Sequence, residues 1–146
     1  MSNSHLERSA ILEITARWFL PILGALSLLI LFRGHNAPGG GFIGGLTAAA
    51  GFGLSAFASG VAVARARLVI APQRLIGFGL LTAVLSGFPG LVSGGPFLEP
   101  RWVTLPLFGL LEWKTGTVFL FDCGVYLVVL GVMSLVIFSA LEEQEK

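Results

Sequence analysis

A chain of 146 residues with 55% apolar side chains, a mean hydropathy of +0.88 and 12% charged residues departs from the soluble pattern, in which about a quarter of residues are charged. Its formal charge of +1, with no long run of either sign, gives no basis for binding nucleic acid. The single cysteine, Cys123, lies in an apolar run; it has no partner for a disulfide and no cluster for zinc, iron–sulfur or haem, so its expected role is packing.

The apolar runs predict an all-α membrane protein, a bundle of four transmembrane helices over residues 11–32, 42–63, 75–92 and 117–141, forming one domain over residues 1–146. The most apolar part of the first span, Trp18 to Phe32, rises only about 22 Å against a hydrocarbon core of about 30 Å. The helix is therefore expected to begin near Ile11, with Arg17 snorkelling to the headgroups. Glu7 and Glu13 precede this span and no small-residue cleavage site follows Phe32, which favours a retained helix over a secretory signal.

Four spans place both termini and the middle loop on one side. That side holds six basic residues, Arg8, Arg17, Arg65, Arg67, Arg74 and Lys146, against three on the other, Arg33, Arg101 and Lys114. The excess predicts cytoplasmic termini.

Between the first two spans runs RGHNAPGGGFIGG, Arg33 to Gly45. A phosphate-cradling loop would follow a strand and carry a lysine beside a hydroxyl residue; here a candidate membrane helix precedes the glycines and the nearest hydroxyl is Thr47. A tight re-entry into the second span accounts for more of the residues: Pro38 stops the preceding helix, and Gly39, Gly40 and Gly41 accept backbone angles that a side chain forbids.

Beyond the turn, Gly41, Gly45, Ala49 and Gly53 repeat at every fourth position, with Gly40, Gly44 and Ala48 in a parallel row. The third span repeats the pattern at Gly79, Ala83 and Gly87, and the fourth carries Gly124 and Gly131. Such rows let helix backbones approach closely, and their number points to neighbouring subunits in a complex; the plain alternative is the high glycine and alanine content of membrane helices in general.

The segment from Ser93 to Gly116 contains Pro96, Pro100 and Pro106 as well as Phe97, Trp102, Phe108 and Trp113. It reads either as a stretch at the outer interface or against partner helices, or as an ordinary solvated loop. Glu112 and Lys114, on either side of Trp113, are expected to remain hydrated.

Ionisable groups at membrane depth are costly and tend to be functional. The second and third spans contain none, and the fourth contains one, Asp122, about two turns from its outer end. Asp122 reads either as a cation-passage residue or as a structural carboxylate stabilised by a helix dipole and a partner such as Arg33, His35 or Lys114. His35 is either an outer proton-relay group or a hydrogen-bonding turn residue, and Tyr126 lies one turn beyond Asp122 within bonding reach. A single acid cannot make a path across the hydrocarbon, so any ion transport must be shared with other chains.

RGHNAPGGGFIGG, together with FLFDCGVYLVVLGV from Phe119 to Val132, resembles the MnhB family, the B-type component of the multisubunit Mrp (Mnh) Na+/H+ antiporter. The likeness covers nearly the whole chain in the right order. It implies a small multi-pass subunit of the cell inner (plasma) membrane in a hetero-oligomer that exchanges Na+ for H+, with the principal proton paths in larger subunits. Carried over, the family signatures fall on Pro38, Gly39, Gly40, Gly41 and Phe42, and on Asp122 and Gly124. The expectations are thus Asp122 and His35 as ion-passage candidates, and Pro38, Gly39, Gly40, Gly41, Phe42, Gly45, Gly53 and Gly124 as subunit-packing residues. Other antiporter subunits and membrane lipid are the expected partners, without cofactor, metal or nucleic acid. The rival readings are a structural scaffold subunit, as in antiporter- or hydrogenase-like complexes, and a self-sufficient homo-oligomeric channel; an enzyme is disfavoured because no nucleophile–base pair, paired carboxylates or metal cluster is present.

Overall fold

The computed structural model describes residues 2–34, 40–107 and 111–144. It contains four helical passages long and apolar enough to cross a membrane, Ala10–Arg33, Gly40–Ser59, Val61–Val92 and Thr117–Gln144. The first is the apolar part of α1 (Ser2–Arg33), which runs through Pro21 without ending there. Proline lacks the N–H that would bond the Arg17 carbonyl, a loss that membrane helices tolerate where neighbouring groups compensate.

Helix α2 (Gly40–Ser59) ends four residues earlier than the expected 42–63 span. Gly60 follows with φ 89°, a left-handed conformation suited to glycine, and redirects the chain into the separate eight-residue helix α3 (Val61–Leu68). Val69 then adopts φ 64° and ψ −46°, and the Ile70 N–H donates to the Leu68 carbonyl at 2.7 Å. These angles and this bond define a γ-turn of the strained kind, here centred on a β-branched residue.

The third passage continues with α4 (Pro72–Leu85), begun by a proline in its first turn, and α5 (Phe88–Val92). The fourth passage is α6 (Thr117–Gln144).

Between α5 and α6, two strands, β1 (Trp102–Leu107) and β2 (Leu111–Gly116), form an antiparallel ribbon with Trp102 opposite Gly116 and Leu107 opposite Leu111. Part of the Ser93–Gly116 segment is thus regular structure and not an ordinary loop. Proline is tolerated because each strand of a two-stranded ribbon is an edge. At its base the Thr117 N–H donates to the Arg101 carbonyl and the Arg101 N–H donates to Thr117 Oγ1, both at 3.1 Å.

The helices pack in the order α1, α2, α6, α4, and α1 meets α6 only sparsely. Residue pairings set the directions. Gly44 and Gly51 of α2 face Ser27 and Leu20 of α1, so these helices are antiparallel; Gly41, Gly45 and Gly53 face Asp122, Tyr126 and Ile137, so α2 and α6 are parallel; Gly79 faces Gly124 and Gly131 faces Pro72, so α4 and α6 are antiparallel. Both described chain ends therefore lie at one end of the bundle, termed here the terminal end, and the ribbon lies at the other.

The core joins Ala48, Ala49 and Ala56 of α2 to Val61, Ala64 and Leu68 of α3, Leu75 of α4 and Leu130 and Phe138 of α6. Phe138 is fully buried, and the Arg65 guanidinium lies 5.4 Å from its ring centroid while pairing with Glu142 at 2.9 Å. This group fixes α3 against the last turns of α6.

The two glycine rows of α2 are occupied by the chain's own helices, one by α1 and the other by α6. A Cβ on Gly45 would lie 2.8 Å from the Tyr126 carbonyl oxygen and 2.9 Å from Val129 Cβ; one on Gly124 would lie 2.7 Å from both the Ala83 nitrogen and the Gly79 carbonyl oxygen. A Cβ on Gly77 meets nothing within 4 Å. Gly45→Ala and Gly124→Ala are each expected to cost about 1–3 kcal/mol through overpacking, whereas Gly77→Ala leaves the isolated chain's stability unchanged. Thermal unfolding of the purified chain in detergent checks all three.

Candidate functional site

The candidate site lies at the ribbon end, where the start of α2, the end of α1 and the first turns of α6 converge. Glycines at 40 and 41 let the first turn of α2 come against neighbouring backbone: Gly40 lies on Gly34 and Gly41 on the Asp122 carbonyl. The first turn of a helix presents unpaired N–H groups and a partial positive charge, so a carboxylate-bearing residue is well placed beside it. Asp122 is half-buried there and is engaged by an interaction within the chain. Phe32 of α1 stacks on Phe119 of α6, with centroids 5.6 Å apart and planes 21° from parallel, and closes the other side of this corner.

One turn deeper, a hydrogen bond links α6 to α1 across α2. Tyr126 Oη lies 2.9 Å from Ser27 Oγ, and the Ser27 hydroxyl donates to the Gly24 carbonyl at 2.7 Å. With its own proton committed to Gly24, Ser27 accepts from the tyrosine. The bond depends on Gly44, since a Cβ there would lie 3.1 Å from Tyr126 Cδ2 and 2.9 Å from the Ser27 carbonyl oxygen. The glycine is thus the gap through which the phenol reaches α1. Sequence reasoning placed Tyr126 beside Asp122 and did not single out Ser27; its only signal was a small hydroxyl residue in an otherwise leucine-rich run, three residues after Gly24.

Of the expected site residues, the structure brings Gly40, Gly41 and Asp122 together and carries the Gly41 row along α6 through Gly45 and Gly53. Gly124 serves the opposite contact, with α4. Phe42 points away from this corner and is 53% exposed. His35, Pro38 and Gly39 lie outside the described residues. Cys123 is half-buried, in keeping with packing.

Among the described residues no group of three His, Cys, Asp or Glu side chains comes together to hold a metal ion. Two surface clefts flank the bundle. One of about 180 Å³ is lined by Ser86, Leu98, Thr117, Val118 and Phe121, and one of about 380 Å³ by Ile14, Arg17, Trp18 and Pro21. Neither is lined by a carboxylate. Among the described residues, the polar groups at the ribbon end include Asp122, the phenol–hydroxyl pair and the buried Ser86, which lines the cleft beside Thr117, while the buried Ser55 and Ser134 lie elsewhere in the bundle. That is enough for one station on a cation or proton path and too little for a crossing.

Fold and site together define a multi-pass helical membrane protein whose polar residues are few and confined. The chain belongs to the MnhB family: residues 11–135 match the domain related to the MnhB subunit of Na+/H+ antiporter. It is 36% identical over 144 residues to the B-type Na(+)/H(+) antiporter subunit of Bacillus subtilis (strain 168), covering 97% of this chain and 99% of that one. It is 34% identical over 128 residues to a probable K(+)/H(+) antiporter subunit, of combined A/B type, of Rhizobium meliloti (strain 1021), covering 86% of this chain but only 13% of that protein. A chain in the structure of the Mrp complex from Dietzia sp. DQ12-45-1b superimposes with a TM-score of 0.77 at 35% identity, covering 91% of this chain and 14% of that one. This chain thus spans a small part of two of these relatives and nearly all of the third.

Interhelical hydrogen bonds in membranes are worth about 0.6 kcal/mol on average. Tyr126→Phe and Ser27→Ala are therefore each expected to destabilise the chain by about that amount, with the double variant no worse than either single one. A double-mutant cycle on thermal unfolding in detergent measures this coupling.

Proposed function

We propose that this protein is the MnhB-type component of a multisubunit cation/proton antiporter of the Mrp type, a multi-pass constituent of the plasma membrane that works only in assembly with other antiporter subunits. The observation that carries the reading is the end-to-end match, at 36% identity, with a B-type Na(+)/H(+) antiporter subunit. It is supported by the scarcity of carboxylates in the passages, Asp122 being the one acid in the expected fourth span and the second and third having none, which obliges the chain to share any ion path. The role is that of a transporter component and not of an enzyme.

Sodium is the proposed cation, because the relative matched over its whole length carries Na(+)/H(+) in its name, whereas the K(+)/H(+) protein is matched over 13% of its length. Protons move in the opposite direction. The termini face the cytoplasm in this reading: α3, which contributes Arg65 and Arg67, lies at the terminal end, beside the close of α6.

Asp122, whose backbone lies against the start of α2, is the proposed station for the cation, with His35 as the proposed proton group. The subunits would meet this chain through faces its own helices leave open. Phe42 belongs to such a face, as do Phe78 and Leu81 on α4, which are 57% and 56% exposed. Gly40, Gly41, Gly45, Gly53 and Gly124 would act on assembly indirectly, by setting the shape that presents those faces, and Pro38 and Gly39 remain proposed subunit-packing residues.

Asp122→Asn is expected to lower Na+-driven proton movement in vesicles carrying the assembled complex at least about tenfold, the scale of losing one charge-assisted interaction of about 1.4 kcal/mol or more, while co-purification with partner subunits stays normal. Unchanged exchange would leave the scaffold role in its place. The purified chain reconstituted alone is expected to conduct no ions, and flux without partners would favour the homo-oligomeric channel.

A further inference from the structure

The terminal end of the bundle carries a cation held by a neutral group. Arg67, half-buried on α3, donates from Nη1 to Ser55 Oγ at 2.7 Å, and Ser55 is itself fully buried in α2. Its neighbour Arg65 is neutralised by Glu142, but among the described residues Arg67 has no carboxylate. The serine therefore fixes the guanidinium without offsetting its charge, and the remaining N–H groups of the planar fork are available for an anion.

The surroundings indicate which anion. Val63 lies one turn before Arg67 on α3, and Ile70 follows the turn that ends this helix; they are 40% and 43% exposed. Val69, at the strained γ-turn that ends α3, is 86% exposed. α3 opens the third passage at the end where α6 finishes, so these apolar side chains flank a fixed cation at the terminal end of the bundle. A diester phosphate with hydrocarbon attached satisfies both features at once: the phosphate takes the guanidinium fork, and the chains cover the valine and isoleucine side chains.

We propose that Arg67, held by Ser55 and flanked by Val63, Val69 and Ile70, is a binding seat for the phosphate of an anionic phospholipid in the leaflet at the terminal end. The seat requires only that the bundle be embedded in a bilayer, so its failure and the failure of the antiporter reading are separately visible.

Native mass spectrometry of the full-length chain in detergent, titrated with phosphatidylglycerol or phosphatidylcholine, tests the seat. The expected result is one tightly retained phosphatidylglycerol, with at least fivefold preference over phosphatidylcholine, lost in Arg67→Gln and largely kept in Arg67→Lys. Arg74→Gln removes an exposed cation that has no ion pair among the described residues and is the control for diffuse charge. It is expected to weaken binding less than twofold; equal losses in Arg67→Gln and Arg74→Gln, or no lipid preference in the parent chain, would overturn the proposal. Each variant's thermal unfolding is compared with the parent so that misfolded samples are recognised, and Ser55→Ala, which frees the guanidinium without removing its charge, gives a second reading with an expected loss of about threefold. A photoreactive benzoylphenylalanine in place of Val69, used in membranes with all subunits present, is expected to give lipid adducts; an adduct to a partner protein instead would assign the surface to a protein loop and reject the lipid.

Discussion

Apolar helices gain nothing from leaving lipid for one another, so their association depends on close packing and on hydrogen bonds across the contact. In this chain that constraint falls on α2. Its two rows of small residues differ in phase by a single position, and each side accepts a different helix, Gly44 and Gly51 taking α1 while Gly41, Gly45 and Gly53 take α6. The result is a thin central helix with thicker neighbours on either side, and the placement of the polar groups at the ribbon end follows from it. The Tyr126–Ser27 bond is the clearest case, because it spans two helices that scarcely touch and passes where Gly44 leaves room.

Helix α6 is the second organising element. One of its faces meets α2, another meets α4 through Gly124 and Gly131, and its end near Phe138 and Glu142 holds α3. Because Asp122 belongs to the same helix, two residues before Gly124, its backbone is positioned by packing on both sides. Its relation to the start of α2 is therefore a property of the whole bundle and not of a local loop. A family whose members act inside larger assemblies has reason to fix such a group by its own fold before partners arrive.

The four passages were legible from the apolar runs, and the small-residue rows were legible from their fourfold spacing. What the rows contact was not. A period of four identifies a surface for close approach without saying whether the approaching helix belongs to the same chain, and all the described members of those rows that were tied to subunit packing turn out to have intramolecular neighbours. The end of α2 was misplaced because Gly60 lies in the uncharged stretch FASGVAVA, where composition shows no boundary although the backbone angle makes one. The ribbon was hidden by Pro100 and Pro106, which disfavour an interior strand but not one with an open edge. Asp122 was conspicuous as the lone acid of its span, whereas Ser27 and Ser55 became significant only once the structure placed a tyrosine and an arginine against them.

The passage from β2 to α6 has no intervening linker. Gly116 is the last residue of the ribbon, Thr117 is the first of the helix, and paired hydrogen bonds to Arg101 close the junction. The ribbon is consequently continuous with α6, with no loop between them to absorb a twist. A displacement of the Trp102–Gly116 pair at the ribbon's base would therefore be handed directly to the first turns of α6, the part of the helix that carries Asp122.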